Sequence, residues 1–237
     1  MIFSNLELPH FRLQDMKIKP LIQLREMISK ALSGQTNLSK SFQSFFIETM
    51  ELILTHTGRL NFTQLARCGR SCESRFRQNF RKSFDWLSFN RSFLESTKGH
   101  HIAIAIDPCY ISKSGKKTPG IDWFWSGCAA AMKKGLEILG ISIVDADAKQ
   151  FTGLTHCQAR NKEALSFAFN ASLTSVNLAR AFARQQGMVL SVGSTKTLLH
   201  NAAMVDRFIA MSGKSPNMRL NNTDFKELLF YGLRAAA

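Results

Sequence analysis

Apolar residues recur at helical intervals in the first quarter of the chain. Residues 21–32 and 42–54 each carry a stripe of large apolar side chains three or four positions apart, which is the pattern of an amphipathic helix with one buried face. Ser33-Gly34 follows the first stripe and is typical of a helix end. The pattern therefore predicts two helices that pack into a common core.

The segment after the second stripe predicts two shorter helices separated by a turn. Asn61 precedes the apolar positions as a good N-cap, and Gly69 stands where the chain must turn. We expect Ser71 to cap the second helix, with Phe76 and Phe80 directed into the core. This arrangement is typical of a helix–turn–helix unit, whose second helix reads a DNA groove.

Basic side chains are concentrated in the same segment. Between Arg59 and Arg91 there are eight Arg or Lys residues against two acids, Glu73 and Asp85. Arginine binds phosphates and guanine edges through its planar fork, so we interpret the segment as a surface for double-stranded DNA. The alternative is a solvated basic helix face. Alternating exposed aromatics, which indicate single-strand stacking, are not evident in this segment. The predicted DNA-binding residues are Arg67, Arg70, Arg75, Arg77, Arg81 and Lys82.

The hydrophobic period changes from helical to two near residue 102. Isoleucines at every second position alternate with small residues up to Asp107, which predicts a strand. We expect this strand to end at Asp107, because Pro108 cannot donate to a sheet ladder. Residues 122–128 and 136–147 predict two more strands, with a turn at Lys133–Gly135. Three consecutive strands with short connections predict an antiparallel meander.

Helical spacing returns after residue 150. Residues 162–187, 195–213 and 224–237 each have an amphipathic pattern, and Gly187 ends the first of them. The sequence thus predicts an α+β protein in which a small sheet follows an N-terminal helical region and precedes a C-terminal one.

Charge and composition narrow the range of partners. The 237 residues carry 31 basic and 17 acidic side chains, a formal net charge of +14, and most of the excess lies outside residues 101–150. A polyanion is therefore the first partner to consider, and an acidic surface module is disfavoured. Five cysteines without a zinc-type spacing favour free thiols in the cytoplasm. No apolar run reaches the ~20 residues of a membrane span, so no membrane partner is expected.

Asp107 is the candidate for metal chemistry. A carboxylate at the end of a buried strand beside small residues suits Mg²⁺, which prefers oxygen ligands, although a two-ion centre needs several carboxylates. Asp145 and Asp147 follow the third predicted strand and are the nearest other candidates. The alternative is that both are solvated turn residues. Nucleophilic catalysis has little support, because His156 and Cys157 are neighbours only along the chain.

Four runs together carry a resemblance to a known family. IAIAIDPCYISKSGKKTPG, FWSGC, MKKGLEILGISIVD and FTGLTHCQAR are similar to segments of bacterial insertion-sequence DDE transposases, in the branch with a Tyr-Arg-Glu-Lys signature. The resemblance covers nearly the whole chain. It implies an RNase-H-like sheet that presents two Asp and one Glu to two Mg²⁺ ions, in an enzyme that nicks and joins DNA at terminal inverted repeats. It also implies that Asp107 is the first catalytic, metal-binding Asp.

The chain departs from this family at one junction. The family has a long stretch, with its second Asp and its signature helix, where VDADAKQ here continues directly into FTGLTHCQAR. Lys149 matches the signature Lys, but Ser142 stands at the position of the Glu and cannot bind a metal as a carboxylate does. We infer an internal deletion that joins Gln150 to Phe151 and leaves one of three catalytic carboxylates.

Three functional hypotheses follow from the resemblance and this departure. The chain is a transposase-family protein for DNA transposition with an incomplete cleavage centre, a non-enzymatic DNA-binding module that competes with a full-length transposase, or a decayed product that does not fold stably. The expected partners are inverted-repeat DNA, a second copy and a full-length transposase, in the bacterial cytoplasm with the nucleoid. The expected domains are 1–98 (helical, DNA-binding), 99–150 (remnant of the RNase-H-like core) and 151–237 (C-terminal helices).

Overall fold

In the described part of the chain, helices dominate and three strands form one antiparallel sheet. The computed structural model describes residues 19–58, 60–93, 102–113, 118–145, 161–212 and 223–233. The α+β class is confirmed at this coarse level. The elements are α1 (Lys19–Ser33), α2 (Lys40–Thr55), α3 (Phe62–Cys68), α4 (Glu73–Asn79), α5 (Trp86–Arg91), β1 (Ile102–Ser112), β2 (Asp122–Ser126), β3 (Ala131–Asp145), α6 (Lys162–Gln185), α7 (Val192–Ser212) and α8 (Thr223–Phe230).

The two apolar stripes near the start of the chain form α1 and α2, as predicted. Most of their large apolar side chains are buried, although Ile22 is 41% exposed. Ser39 caps α2 by accepting a hydrogen bond from the backbone N–H of Phe42 at 3.2 Å. Arg25 on α1 donates from Nε and Nη2 to both carboxylate oxygens of Glu51 on α2, at 2.7 and 2.6 Å. This hydrogen bonding raises the pKa of Arg25. A bidentate ion pair thus joins the two helices at the edge of their apolar contact.

The chain divides into two compact units. One comprises Met1–Gly58 and Ser175–Ala237, and the other comprises Arg59–Thr174. In the first unit, α2 packs against α1 and α7, and α8 packs against α7. The second unit holds α3, α4, α5, the sheet and the N-terminal half of α6. The predicted domain boundaries after residues 98 and 150 lie outside the described residues and stay a prediction.

The strand order in the sheet is β1-β3-β2, so the predicted meander is wrong in its order. β2 pairs with the start of β3, with Ser126 opposite Ala131, and β1 pairs with the remainder of β3 up to Ile102 opposite Asp145. The physical reason is length. β2 has five residues and β3 has fifteen, so β3 folds back on β2 in a tight hairpin and still extends far enough to pair with β1.

The turn predicted at Lys133–Gly135 is also wrong, because these residues lie within β3. The hairpin turn is a short 3₁₀ segment at Gly127–Ala129, followed by Ala130 in the left-handed region with φ 45°. A Cβ added at Gly135 would overlap the carbonyl oxygen of Ile111 and the ring of Tyr110. This glycine therefore marks a close approach inside the sheet and not a change of chain direction.

β1 continues through Asp107 to Ser112, so the prediction that the strand ends at Asp107 is wrong. Pro108 stands opposite Leu139 in the ladder. Proline in a sheet is confined to edge strands and strand ends, and β1 is an edge strand of the described sheet. Asp107 is consequently a mid-strand residue, opposite Gly140.

Within the described ranges, none of the helices combines the length and the apolar character that crossing a bilayer requires.

Candidate nucleic-acid interface

The frame of the candidate interface is the pair of short helices α3 and α4, joined by residues 69–72. Asn61 caps α3 as predicted, since its Oδ1 accepts a hydrogen bond from the backbone N–H of Gln64 at 2.8 Å. Gly69 ends α3, and its N–H donates to Leu65 at 2.8 Å. The predicted cap Ser71 is wrong by one position, because Ser71 is buried in the turn and Cys72 is the N-cap of α4.

A cluster of aromatic rings fixes these helices against α5 and the N-terminal half of α6. Phe76 and Phe80 are buried as predicted, with exposures of 0% and 4%. The Phe80 ring lies edge-on to Phe62, with centroids 5.0 Å apart, and 4.5 Å from Phe167 on α6. Trp86 on α5 contacts the same Phe167 ring at 5.0 Å. Because the apolar side of each helix is occupied by these contacts, its polar side is left to solvent.

The structure places five of the six predicted DNA-binding side chains at the surface of these helices and the turns beside them. Arg75 is half-buried, while the others are exposed: Arg67, Arg70, Arg77, Arg81 and Lys82. Arg67 lies in the last turn of α3, Arg70 in the connecting turn, and Arg81 and Lys82 directly after α4. Positive charge therefore surrounds both ends of α4.

Arg77 has a second role within the helix pair. Its guanidinium pairs with Glu73 one turn earlier, with Nε donating to Oε1 at 2.8 Å, and it lies over the Phe62 ring at 4.9 Å. Thr63 at the start of α3 donates from Oγ1 to Oε2 of the same carboxylate at 3.1 Å. Hydrogen bonding from Arg77 and then from Thr63 lowers the pKa of Glu73. Glu73 thus connects α3 to α4 and neutralises one of the predicted arginines.

The second acid of the segment has a capping role. Asp85 is the N-cap of α5 and accepts a hydrogen bond from the backbone N–H of Ser88 at 3.0 Å, which lowers the pKa of Asp85. Glu73 and Asp85 therefore favour their ionised forms and accept hydrogen bonds from groups of the helices themselves. The basic residues dominate the outer face.

The candidate metal residue Asp107 lies well away from Asp145, the candidate acid at the end of β3. Asp145 stands opposite Ile102, five ladder positions from Asp107, or about 17 Å along the strands. A Mg²⁺ ion holds its ligands at about 2.1 Å, so these two acids do not share one. Lys149 and Asp147 lie outside the described residues.

No metal site is assembled from the residues that the structure does describe. Among them, no group of three Asp, Glu, His or Cys side chains is arranged to hold a metal ion. The assignment of Asp107 as a Mg²⁺ ligand, which the family resemblance implies, stays a prediction.

Two exposed tryptophans are a feature that sequence reasoning missed. Trp123 and Trp125 lie two positions apart on β2, and their side chains are 61% and 63% exposed. Their alternation with Phe124 in a period-two segment is the signal that places them on one face of a strand, and it was available in the sequence.

The chain matches no protein-family model, no curated protein and no solved structure.

Proposed function

We propose that the protein binds double-stranded DNA through α3, α4 and the turn between them, and that it is a transposase relative with an incomplete cleavage centre. The observation that carries the proposal is the basic outer face of this helix pair, on which Arg67, Arg70 and Arg81 are exposed above a core of packed aromatic rings. Two helices with a short turn and an arginine-rich second helix suit a helix–turn–helix mode of binding, with α4 at the major groove.

Phosphate contacts are the main source of affinity in this proposal. Each basic side chain that neutralises a phosphate releases counterions and makes the affinity depend on salt. In this proposal, recognition of the base sequence depends on arginines that reach guanine edges in the major groove. Arg81 is the better candidate for this role, since it is exposed directly after α4 and the guanidinium of Arg77 is already hydrogen-bonded to Glu73.

The family relationship rests on the sequence runs around Asp107, while the strand order β1-β3-β2 departs from the meander expected for that core. Asp107 lies on the first strand of an antiparallel sheet, as the first acid of an RNase-H-like core would. Ser142, which stands where the signature spacing requires a Glu, lies in β3 opposite Ala105. With one acid of three, we expect the protein to occupy the ends of its element without cutting them, in competition with a full-length relative.

The proposal is tested with duplexes taken from the DNA on both sides of the coding sequence, where a mobile element carries its inverted repeats. The chain is incubated with these duplexes in the presence of Mg²⁺ or Mn²⁺, and binding and strand integrity are read on native and denaturing gels. We expect retarded duplex and no nicked strand, with preference for an end sequence over a shuffled duplex.

Two outcomes would contradict different parts of the proposal. Nicking of the end duplex that disappears in Asp107→Asn would show an intact cleavage centre. Failure of the wild-type chain to retard any duplex, while it unfolds cooperatively on heating, would remove the DNA-binding function and also exclude an unfolded product as the cause.

A further inference from the structure

The hairpin formed by β2 and β3 presents an exposed apolar and basic face. Trp123 stands opposite Lys134, and Trp125 stands opposite Met132, so all four side chains project from the same face of the antiparallel pair. Each is exposed, and Met132 is 53% exposed. We propose that this face is a second nucleic-acid site, which stacks unpaired bases of single-stranded DNA on the two indole rings.

The spacing of the two rings suits bases. Residues two apart in a strand are separated by about 6.6–6.8 Å, which is about twice the ~3.4 Å rise between stacked bases of one DNA strand. In the proposed site, one base lies between the two indoles, or successive bases lie on each of them. Stacking on aromatic side chains is the usual source of sequence-tolerant single-strand affinity.

The charges around the rings favour a polyanion over a protein partner. Lys134 shares the face with Trp123 and is exposed, whereas Lys133 stands opposite Phe124 and lies on the other face. Lysine is depleted in the cores of protein–protein interfaces, whereas it neutralises the backbone of a nucleic-acid strand. The nearest acid of the hairpin is Asp122, which lies on the opposite face of the strand. Its Oδ1 accepts a hydrogen bond from the backbone N–H of Trp123 at 2.8 Å.

The strands that carry the two indoles are themselves held in place by packing and a hydrogen bond. Close packing of Tyr110 and Ile111 around Gly135 and the hydrogen bond from the Tyr110 hydroxyl to the Lys134 carbonyl at 2.9 Å fix the start of β3, against which Trp123 pairs. A strand-mounted pair of indoles loses little side-chain freedom when a base stacks on it. The site is therefore preorganised by the sheet and not by a loop.

This inference deepens the proposed function, because it rests on DNA being the ligand, but it assigns different residues to a different form of DNA. The test uses a fluorescein-labelled oligo(dT), longer than the ~4–16 nucleotides of a typical single-strand site, and a labelled random-sequence duplex. The whole chain is titrated into each and followed by fluorescence anisotropy. The variants are Trp123→Ala, Trp125→Ala and the ring-conserving Trp125→Phe.

We expect each alanine variant to lose about 10-fold or more in oligo(dT) affinity, Trp125→Phe to retain most of it, and duplex affinity to change less than twofold. Phe208→Ala on α7 is the matched control, since it removes an apolar side chain that is 74% exposed from another surface; it should leave oligo(dT) binding unchanged. Oligo(dT) should also quench the tryptophan fluorescence of the wild type, and the alanine variants should show less quenching.

The outcomes separate the two proposals. Unchanged oligo(dT) affinity in both alanine variants would overturn the inference and leave duplex binding standing. Trp-dependent oligo(dT) binding by a chain that does not bind duplex would support the inference while the proposed function fails. If the alanine variants instead convert a dimer to a monomer in sedimentation, with oligo(dT) binding intact, the face is a self-association surface and the inference is wrong.

Discussion

The guanidinium of Arg77 donates a hydrogen bond from Nε to Oε1 of Glu73, one turn earlier on α4, over 2.8 Å. The same carboxylate accepts a hydrogen bond from Thr63 on α3 at 3.1 Å, so it joins the two helices and neutralises the charge of one arginine. The ion pair is at the surface, and its direct contribution to stability is small. Its larger effect is on the number of cations that the helix pair offers to DNA.

Replacing Glu73 with Gln should strengthen duplex binding. The Arg77 guanidinium then loses its charged partner and can neutralise one more phosphate, so the dependence of log K on log salt should steepen by up to ~0.9, with affinity at low salt rising a few-fold. Glu26→Gln on α1 is the charge-matched control, since Glu26 is also exposed. A slope for Glu73→Gln equal to that of Glu26→Gln would mean that Arg77 does not contact phosphate.

Gly135 should tolerate no side chain. A Cβ at this position would overlap the carbonyl oxygen of Ile111 and the Tyr110 ring, so Gly135→Ala must displace β1 from β3 and should cost at least ~2 kcal/mol of unfolding free energy. Gly127→Ala is the control, because a Cβ added at Gly127 would have no neighbouring atom within 4 Å. We expect that variant to unfold within about 0.5 kcal/mol of the wild type.

Urea unfolding followed by tryptophan fluorescence reports on the unit that contains the sheet. All three tryptophans, Trp86, Trp123 and Trp125, lie in Arg59–Thr174. Equal midpoints for Gly135→Ala and Gly127→Ala would contradict the close packing of β1 on β3.

The end of α2 carries a small group of titratable side chains. His200 on α7 donates from Nδ1 to the carbonyl oxygen of Thr55 at 2.6 Å, a bond that fixes its tautomer, since the carbonyl only accepts. Burial, followed by the charges of His200 and Lys196, lowers the pKa of His56. Burial alone lowers the pKa of Lys196. Folding therefore disfavours the charged forms of His56 and Lys196.

The stability of this helical unit should fall with acid. Because the pKa of His56 is lower in the folded chain, the unfolded chain binds more protons as the pH falls through about 6.5, and stability is lost there. Lys196→Met should raise the pKa of His56, weaken this loss and increase stability at neutral pH by about 1 kcal/mol or less. NMR titration of the His56 ring and urea unfolding followed by far-UV circular dichroism measure the two effects, with Lys30→Met as control. An unchanged His56 pKa in Lys196→Met would contradict the coupling.

Local patterns in the sequence predicted the helices other than α5, but they did not predict the sheet order. The apolar periods of α1, α2 and α6 and the Asn61 cap depend on neighbours in the chain, so they were predictable. The extent of β1 was not predictable from neighbours in the chain. A proline such as Pro108 ends a central strand but is tolerated in an edge strand, and the position of a strand in its sheet depends on tertiary structure. Gly135 was misread as a turn for the same reason, since its close contacts come from another strand.

The candidate interface shows the same division. The concentration of arginines between α3 and α5 was visible in the sequence, as was the burial of Phe76 and Phe80. The spacing of Glu73 and Arg77, four residues apart, already favoured an ion pair on a helix, but its link to Thr63 depends on how α3 meets α4. The separation of Asp107 from Asp145 depends on the ladder register, which no local pattern specifies.

The central claim is that the outer face of α3 and α4 neutralises DNA phosphates. The most direct test compares the salt dependence of duplex affinity for the wild type, Arg67→Ala/Arg70→Ala/Arg81→Ala, and a control triple, Lys30→Ala/Lys40→Ala/Arg184→Ala, which removes three exposed basic residues from α1, α2 and α6. We predict that the slope of log K against log salt becomes shallower by about 2–3 in the first triple and changes little in the second. Equal slopes for the first triple and the wild type would contradict the claim.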